Sequence, residues 1–136
     1  MKRRGKMKTM TSVVLDSSAL LAYVKAEPGA DVVASMIGDA IISAVNFAEA
    51  VSKLVDRGAT LDIARAALGI ATIDVVDFDR GLAERAGALI VKTRRKGLSL
   101  GDRACLALAE RERVPALTGD SAWSKLDLPI EIRLIR

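Results

Sequence analysis

The sequence predicts an α/β domain built in three layers, α/β/α, around a central, mostly parallel sheet of four to five strands. Short apolar, β-branched runs recur at 13–15, 40–43, 73–78, 114–118 and 130–135, separated by longer stretches of helical period, which is the signature of βαβ units. The runs are almost wholly apolar, as strands covered on both faces are. Half of the residues (51%) are hydrophobic and only 3% aromatic, so the core must be aliphatic. A chain of 136 residues is sized for one domain that buries roughly two thirds of its unfolded surface without staples.

The elements follow in order. The first run ends at Asp16, and Ser17 and Ser18 can cap a helix to about Lys25, stopped by Glu27-Pro28-Gly29. Residues 31–37 have helical spacing and stop at Gly38. After the second strand a helix runs to about Arg57, with Gly58 as its C-terminal stop. Thr60 can cap the next helix, to about Ile70. Asp79 can cap a long helix reaching Lys96, with Gly97 after it. A further helix is expected from about Asp102 to Arg113. Pro115 sits at the start of the fourth strand, where its missing N–H matters least.

Composition excludes several chemistries. The single cysteine, Cys105, rules out an internal disulfide framework and cysteine-rich zinc sites. The absence of histidine rules out His-based triads and zincin sites. No stretch approaches the roughly 20 apolar residues of a membrane span, and residues 1–10 are basic without a following apolar region and cleavage site, so cytoplasmic localisation without membrane contact is expected. Five of the 21 basic residues lie in those ten positions, leaving 16 basic against 17 acidic residues in the body. Residues 1–11 therefore read as a basic, disordered leader and 12–136 as the folded domain; the leader either touches nucleic acid or precedes the true start at Met7 or Met10.

In a parallel sheet, ligands bind beyond the carboxyl ends of the strands. Four acids sit where that rule points: Asp16 after the first strand, Asp120 after the fourth, Glu49 early in the helix after the second, and Asp102 at the opening of an apolar helix. Each has a purely structural reading. Asp16, Asp102 and Asp120 suit caps or turns, and Asn46-x-x-Glu49 resembles a capping box. Jointly they suggest more, because Glu49 and Asp102 lie in helices apolar enough to be buried nearly all round.

These residues carry a resemblance. The run Val13-Val14-Leu15-Asp16-Ser17-Ser18-Ala19-Leu20 resembles the opening of PIN domains. Ser99-Leu100-Gly101-Asp102-Arg103 is similar to their central "S-x-x-D" helix, Leu117-Thr118-Gly119-Asp120 with Trp123 to their fourth-strand motif, and Ser43 with Glu49 to their helical glutamate. Order, spacing and length are closest to VapC-type toxins, across residues 12–136. The resemblance implies an endoribonuclease with an acidic pocket for Mg²⁺ or Mn²⁺, acting as the toxin of a toxin–antitoxin pair. It implies Asp16, Asp102 and Asp120 as metal ligands, with Glu49 orienting the water or a ligand. Ser17, Thr118 and Ser121 would support them. A cognate antitoxin and a homodimer are the implied partners besides RNA. The physics agrees: two carboxylates about 4 Å apart repel by roughly 4 kcal/mol at an effective dielectric of 20, and hard oxygen ligands without His or Cys select Mg²⁺ or Mn²⁺.

Other residues carry two readings. Arg103 meets a phosphate, or is a surface or salt-bridged arginine. Residues 92–96 (Lys-Thr-Arg-Arg-Lys) complement a helix dipole, or contact an RNA backbone. Cys105 reads as core, Trp123 as packing beneath the last strand, Tyr23 as helix packing, and Asp74, Asp77 and Asp79 as solvent or cap positions. Two rival functions share the pattern: another nuclease role on the same fold, such as RNA processing, and a non-catalytic, flavodoxin-like binding domain. A dinucleotide fold would need G-x-G-x-x-G after the first strand, which is absent.

Overall fold

The computed structural model describes residues 11–136, so the expected leader lies, but for Thr11, outside the described residues. Five strands, β1 (Val13–Leu15), β2 (Ala40–Ser43), β3 (Asp74–Val76), β4 (Ala116–Thr118) and β5 (Ile132–Leu134), form one sheet in the order β3-β2-β1-β4-β5. Every pairing is parallel, with Val14 opposite Ile41 and Ala116, and Thr118 opposite Leu134. The upper end of the expected strand count is met, and the sheet is parallel throughout. The strands are shorter than the apolar runs, because residues such as Ile73 and Val114 pack on the core beyond the ladder's ends.

The sheet's period of two sorts the core into two faces. Val13, Leu15, Ile42 and Leu117 point to one side, where α1 (Ser17–Val24), α2 (Ala30–Ala34), α3 (Ala44–Asp56) and α4 (Leu61–Gly69) cover them. Val14, Ile41 and Ala116 point to the other, beneath α5 (Arg80–Ala88), α7 (Leu100–Glu112) and the buried Trp123. The result is the three-layer α/β/α domain expected. Central β1 is wholly buried, which is why its run never alternates. Helix α7 is buried along Ala104–Ala109, with Cys105 inside the core, and Tyr23 is part-buried against the first face.

Two helix boundaries differ from expectation. The helix expected over 79–96 is three pieces: α5, a single turn α6 (Ile90–Thr93) and a 3-10 turn at Arg94–Lys96 that ends on Gly97 at φ +70°. The hydroxyl of Thr93 donates to the carbonyl of Leu89 (2.9 Å), a local bond that competes with the helix ladder. Residues 31–37 are likewise a short α2 followed by a 3-10 turn at Ile37–Asp39. Asp79 does cap α5, accepting from the Leu82 amide at 2.9 Å. Asp79→Ala should therefore cost about 1 kcal/mol in urea unfolding. No change would mean the cap contributes nothing. No helix among the described residues is long and apolar enough to cross a membrane.

Candidate active site

The strand order reverses direction between β1 and β4, so the crevice of this sheet opens at their carboxyl ends. Asp16 and Asp120 stand on its two sides. Asp16 leaves β1 as the N-cap of α1: its Oδ1 accepts from the Ala19 amide (2.8 Å) and the Ser18 hydroxyl (2.7 Å), and its Oδ2 from the Thr118 hydroxyl (2.5 Å). Thr118 Oγ1 accepts from the Asp120 amide (3.0 Å), and Ser18 Oγ from the Gly119 amide (2.9 Å). Two hydroxyls thus lace the end of β1 to that of β4. Asp120 caps the short 3-10 turn Ser121–Lys125, accepting from the Ala122 amide.

The other two acids arrive on α7 and α3. Asp102 does not open its helix: Ser99 is the N-cap, and Asp102, three residues on, completes a capping box by accepting from the Ser99 amide (3.0 Å). The capping box suspected at Asn46 and Glu49 is not one, because Ser43 caps α3. The same three-residue spacing serves a side-chain pair. Asn46 is buried and donates Nδ2 to Glu49 Oε1 (3.0 Å) and to the Gly101 carbonyl (2.9 Å), tying α3 to the first turn of α7. Glu49 lies so close to Gly101 that a Cβ there would fall 2.5 Å from its Cδ and nearer still to Oε2. A side chain at 101 would therefore have to displace the Glu49 carboxylate.

Electrostatics shows the convergence. Burial pushes the Asp102 carboxyl above its ordinary 3.8, the two bonds from Ser99 oppose this, and the negative charges of Glu49 and Asp120 push it further. Burial likewise raises Asp16, against the bonds from Thr118, Ser18 and Ala19, with the charge of Asp102 adding to the rise. Asp102 therefore feels Glu49 and Asp120, and Asp16 in turn feels Asp102. Exposure grades outward, from buried Asp16 through half-buried Glu49 and Asp102 to exposed Asp120, as in a hollow open to solvent. The Cys105 thiol behind them is pushed well above its ordinary value, chiefly by burial and also by Asp16, Asp102 and Glu49.

The raised values have a signed consequence. The folded chain holds these two protons more tightly than the unfolded chain does. The stability they contribute is complete below pH 3.8 and is lost as pH rises through their raised folded values. Asp16→Asn with Asp102→Asn should therefore gain melting temperature relative to wild type, in EDTA, as pH climbs from below 3.8 to neutrality. Parallel pH curves would show that the charges cost nothing.

An all-oxygen donor set with mutual repulsion suits a hard divalent cation. Among the described residues, however, no three acids stand close enough as placed to hold one ion. Each carboxylate is turned onto a cap or neighbour, Asp102 through Oδ2, Asp120 through Oδ1 and Glu49 through Oε1, so hydrogen bonds offset the repulsion.

The remaining residues are placed as follows. Thr118 touches Asp16 directly; Ser17 is buried in the first turn of α1, and Ser121 is exposed on the 3-10 turn. Arg103, offered as a phosphate contact, donates Nη1 to the Ala86 carbonyl (2.9 Å) and so pins α7 to α5. Lys92, Arg94, Arg95 and Lys96 are exposed. A hollow of about 440 Å³ between α5, α7 and the turn before β5 contains an exposed Arg85–Glu110 pair (3.0 Å) and none of the four acids. Sequence reasoning missed Ser18, Asn46 and Gly101. Ser18 and Gly101 lie inside the PIN-like runs and Asn46 in the capping-box spacing, but none of these signals gave them a site role.

No curated protein matches the sequence. Solved structures of similar shape include the DNA-bound VapBC complex from Salmonella typhimurium (17% identity, TM-score 0.75, covering 93% of this chain and 100% of that one). VapBC2 from Rickettsia felis, bound to a promoter DNA fragment, follows at 15% identity and TM-score 0.69, covering 90% of this chain and 97% of that one. VapC20 from Mycobacterium tuberculosis, described as a sarcin-ricin loop cleaving toxin, has 20% identity and TM-score 0.66, covering 83% of this chain and 93% of that one. At such identities the likeness is one of fold. The sequence model of the PIN domain, in contrast, matches residues 13–128, most of the chain and all four acids, and the chain belongs to the PIN-domain family.

Proposed function

We propose that the chain is a metal-dependent endoribonuclease and the toxin of a VapBC-type toxin–antitoxin pair, working in the cytoplasm. The observation that carries this reading is the mutual charge of Asp16, Glu49, Asp102 and Asp120 at the carboxyl edge of the sheet, centred on Asp102. Asp16, Asp102 and Asp120 would hold Mg²⁺ or Mn²⁺, the carboxylates giving up one hydrogen bond each. When bound, the ion supplies an acidified water and neutralises charge on the scissile phosphate. Thr118 and Ser18 aim Asp16 by donating to both of its oxygens, and these bonds oppose the rise that burial imposes on its carboxyl. Glu49, held by Asn46, would accept a proton from the attacking water or orient it.

The structural neighbours support an antitoxin partner, being VapBC complexes themselves. Exposed apolar side chains support it too: Val55 on α3 and Leu61, Ile63 and Ile70 on or beside α4 are exposed by 43–68%. The antitoxin, or a second copy of the chain in a homodimer, would cover them. The test is cleavage of total cellular RNA by the purified chain, with Mg²⁺, with Mn²⁺ and with EDTA. Defined fragments in either metal, abolished by EDTA, are expected. Intact RNA under all three conditions would overturn the reading.

A further inference from the structure

We infer that Arg136 forms a phosphate-binding subsite for the RNA strand at the rim of the acidic hollow, a role that rests on the ribonuclease reading. The sheet's register brings it there. Thr118 pairs with Leu134, and the Ile135 amide donates to the Thr118 carbonyl (3.0 Å), so β4 and β5 emerge together at their carboxyl ends. Asp120 lies two residues past the paired position on one strand and Arg136 two residues past it on the other. The acid and the guanidinium therefore leave the same edge of the sheet side by side.

Gly119 then locates the side chain. A Cβ on Gly119 would lie 2.8 Å from Arg136 Nη2, 3.0 Å from its Cζ and 3.3 Å from Ser18 Oγ. The guanidinium therefore rests on the bare peptide of Gly119, next to the hydroxyl that donates to Asp16. Its other branch is anchored, because Nη1 donates to the Pro28 carbonyl (2.9 Å). Arg136 makes no ion pair within 4.0 Å among the described residues, although it packs on the glycine that precedes Asp120. The Pro28 anchor and the Gly119 floor keep it from folding onto a carboxylate.

An exposed guanidinium that is anchored through Nη1 and has no ion pair among the described residues keeps donors free for phosphate oxygens. An acidic hollow repels RNA, and a cation held at its rim lowers that barrier on the approaching strand. A phosphate neighbouring the scissile one is the ligand that fits. The exposed cations at 92–96 are a weaker candidate, since only their place in the chain, ahead of Ser99, links them to the acids.

The test measures binding of a short single-stranded RNA of mixed sequence in EDTA, across a salt series, by fluorescence anisotropy. Arg136→Gln should weaken binding about tenfold at low salt and reduce the log–log salt slope by about 0.7, the loss of one single-strand phosphate contact. In Mg²⁺ the same variant should raise KM while kcat changes little. Gly119→Ala, which displaces the guanidinium and keeps its charge, should reproduce the weaker binding if Arg136→Gln proves unstable. Arg65→Gln, which removes an exposed arginine of α4, should leave the slope unchanged. An unchanged slope in Arg136→Gln, or an equal drop in Arg65→Gln, would overturn the subsite even if the wild type cleaves RNA. A lower slope in a protein that cleaves nothing with any divalent ion would leave the subsite standing and remove the ribonuclease reading instead.

Discussion

Asp102→Asn is expected to lower metal-dependent RNA cleavage at least about 10³-fold, roughly 4 kcal/mol of transition-state stabilisation, while the metal-free melting temperature stays level or rises. The substitution isolates charge from shape. Asparagine retains an oxygen that can accept from the Ser99 amide, so the capping box that starts α7 survives. What disappears is the negative charge at the one position that feels both Glu49 and Asp120 and is felt in turn by Asp16. In the metal-free protein that charge is a liability, and its removal relieves repulsion. In the proposed metal-bound protein it would be the central ligand. Asp16→Asn should behave alike in activity, although its three hydrogen bonds make its stability gain smaller. Clear destabilisation of both variants, with cleavage retained, would reduce these acids to helix caps. Single-turnover cleavage and thermal melting in EDTA give both readouts.

Gly101→Ala is expected to lower cleavage about 10²-fold and to cost roughly 1–3 kcal/mol of stability, as inserting a methyl into a packed contact does. The glycine has no positive φ to protect. The new methyl would meet the Glu49 carboxylate, and Glu49 cannot swing aside cheaply. Asn46 holds its Oε1, and that same amide also donates to the Gly101 carbonyl. Moving Glu49 therefore strips a bond from a buried asparagine. A double-mutant cycle separates this account from general helix damage: Gly101→Ala should cost little stability in a Glu49→Ala background. An equal cost in both backgrounds would show that the Glu49 contact is not the reason for glycine.

Local chemistry was legible wherever a residue acts on neighbours within about one turn. The strand cores, the caps Thr60 and Asp79, and the Gly58 and Gly97 stops all lie where the residues indicated, because capping bonds span only three or four positions. Legibility failed where two local solutions compete. Asn46 with Glu49 has the spacing of a capping box, yet the cap is Ser43, and the spacing instead serves a contact to a helix 55 residues away. The helix expected over 79–96 breaks at Leu89 and again after Thr93, whose hydroxyl shares the Leu89 carbonyl with the helix ladder.

Taken alone, the sequence determined the layer architecture and excluded histidine chemistry, leaving four acids as the candidate site, because strand and helix periods and the lack of histidine are properties of the chain itself. Only the tertiary structure decided how those acids meet. The Thr118 hydroxyl reaches Asp16 across 102 residues, Gly101 yields its space to Glu49, and Gly119 yields its own to Arg136. Such contacts depend on strand order and on atoms at van der Waals range, and neither has a period that a linear sequence displays.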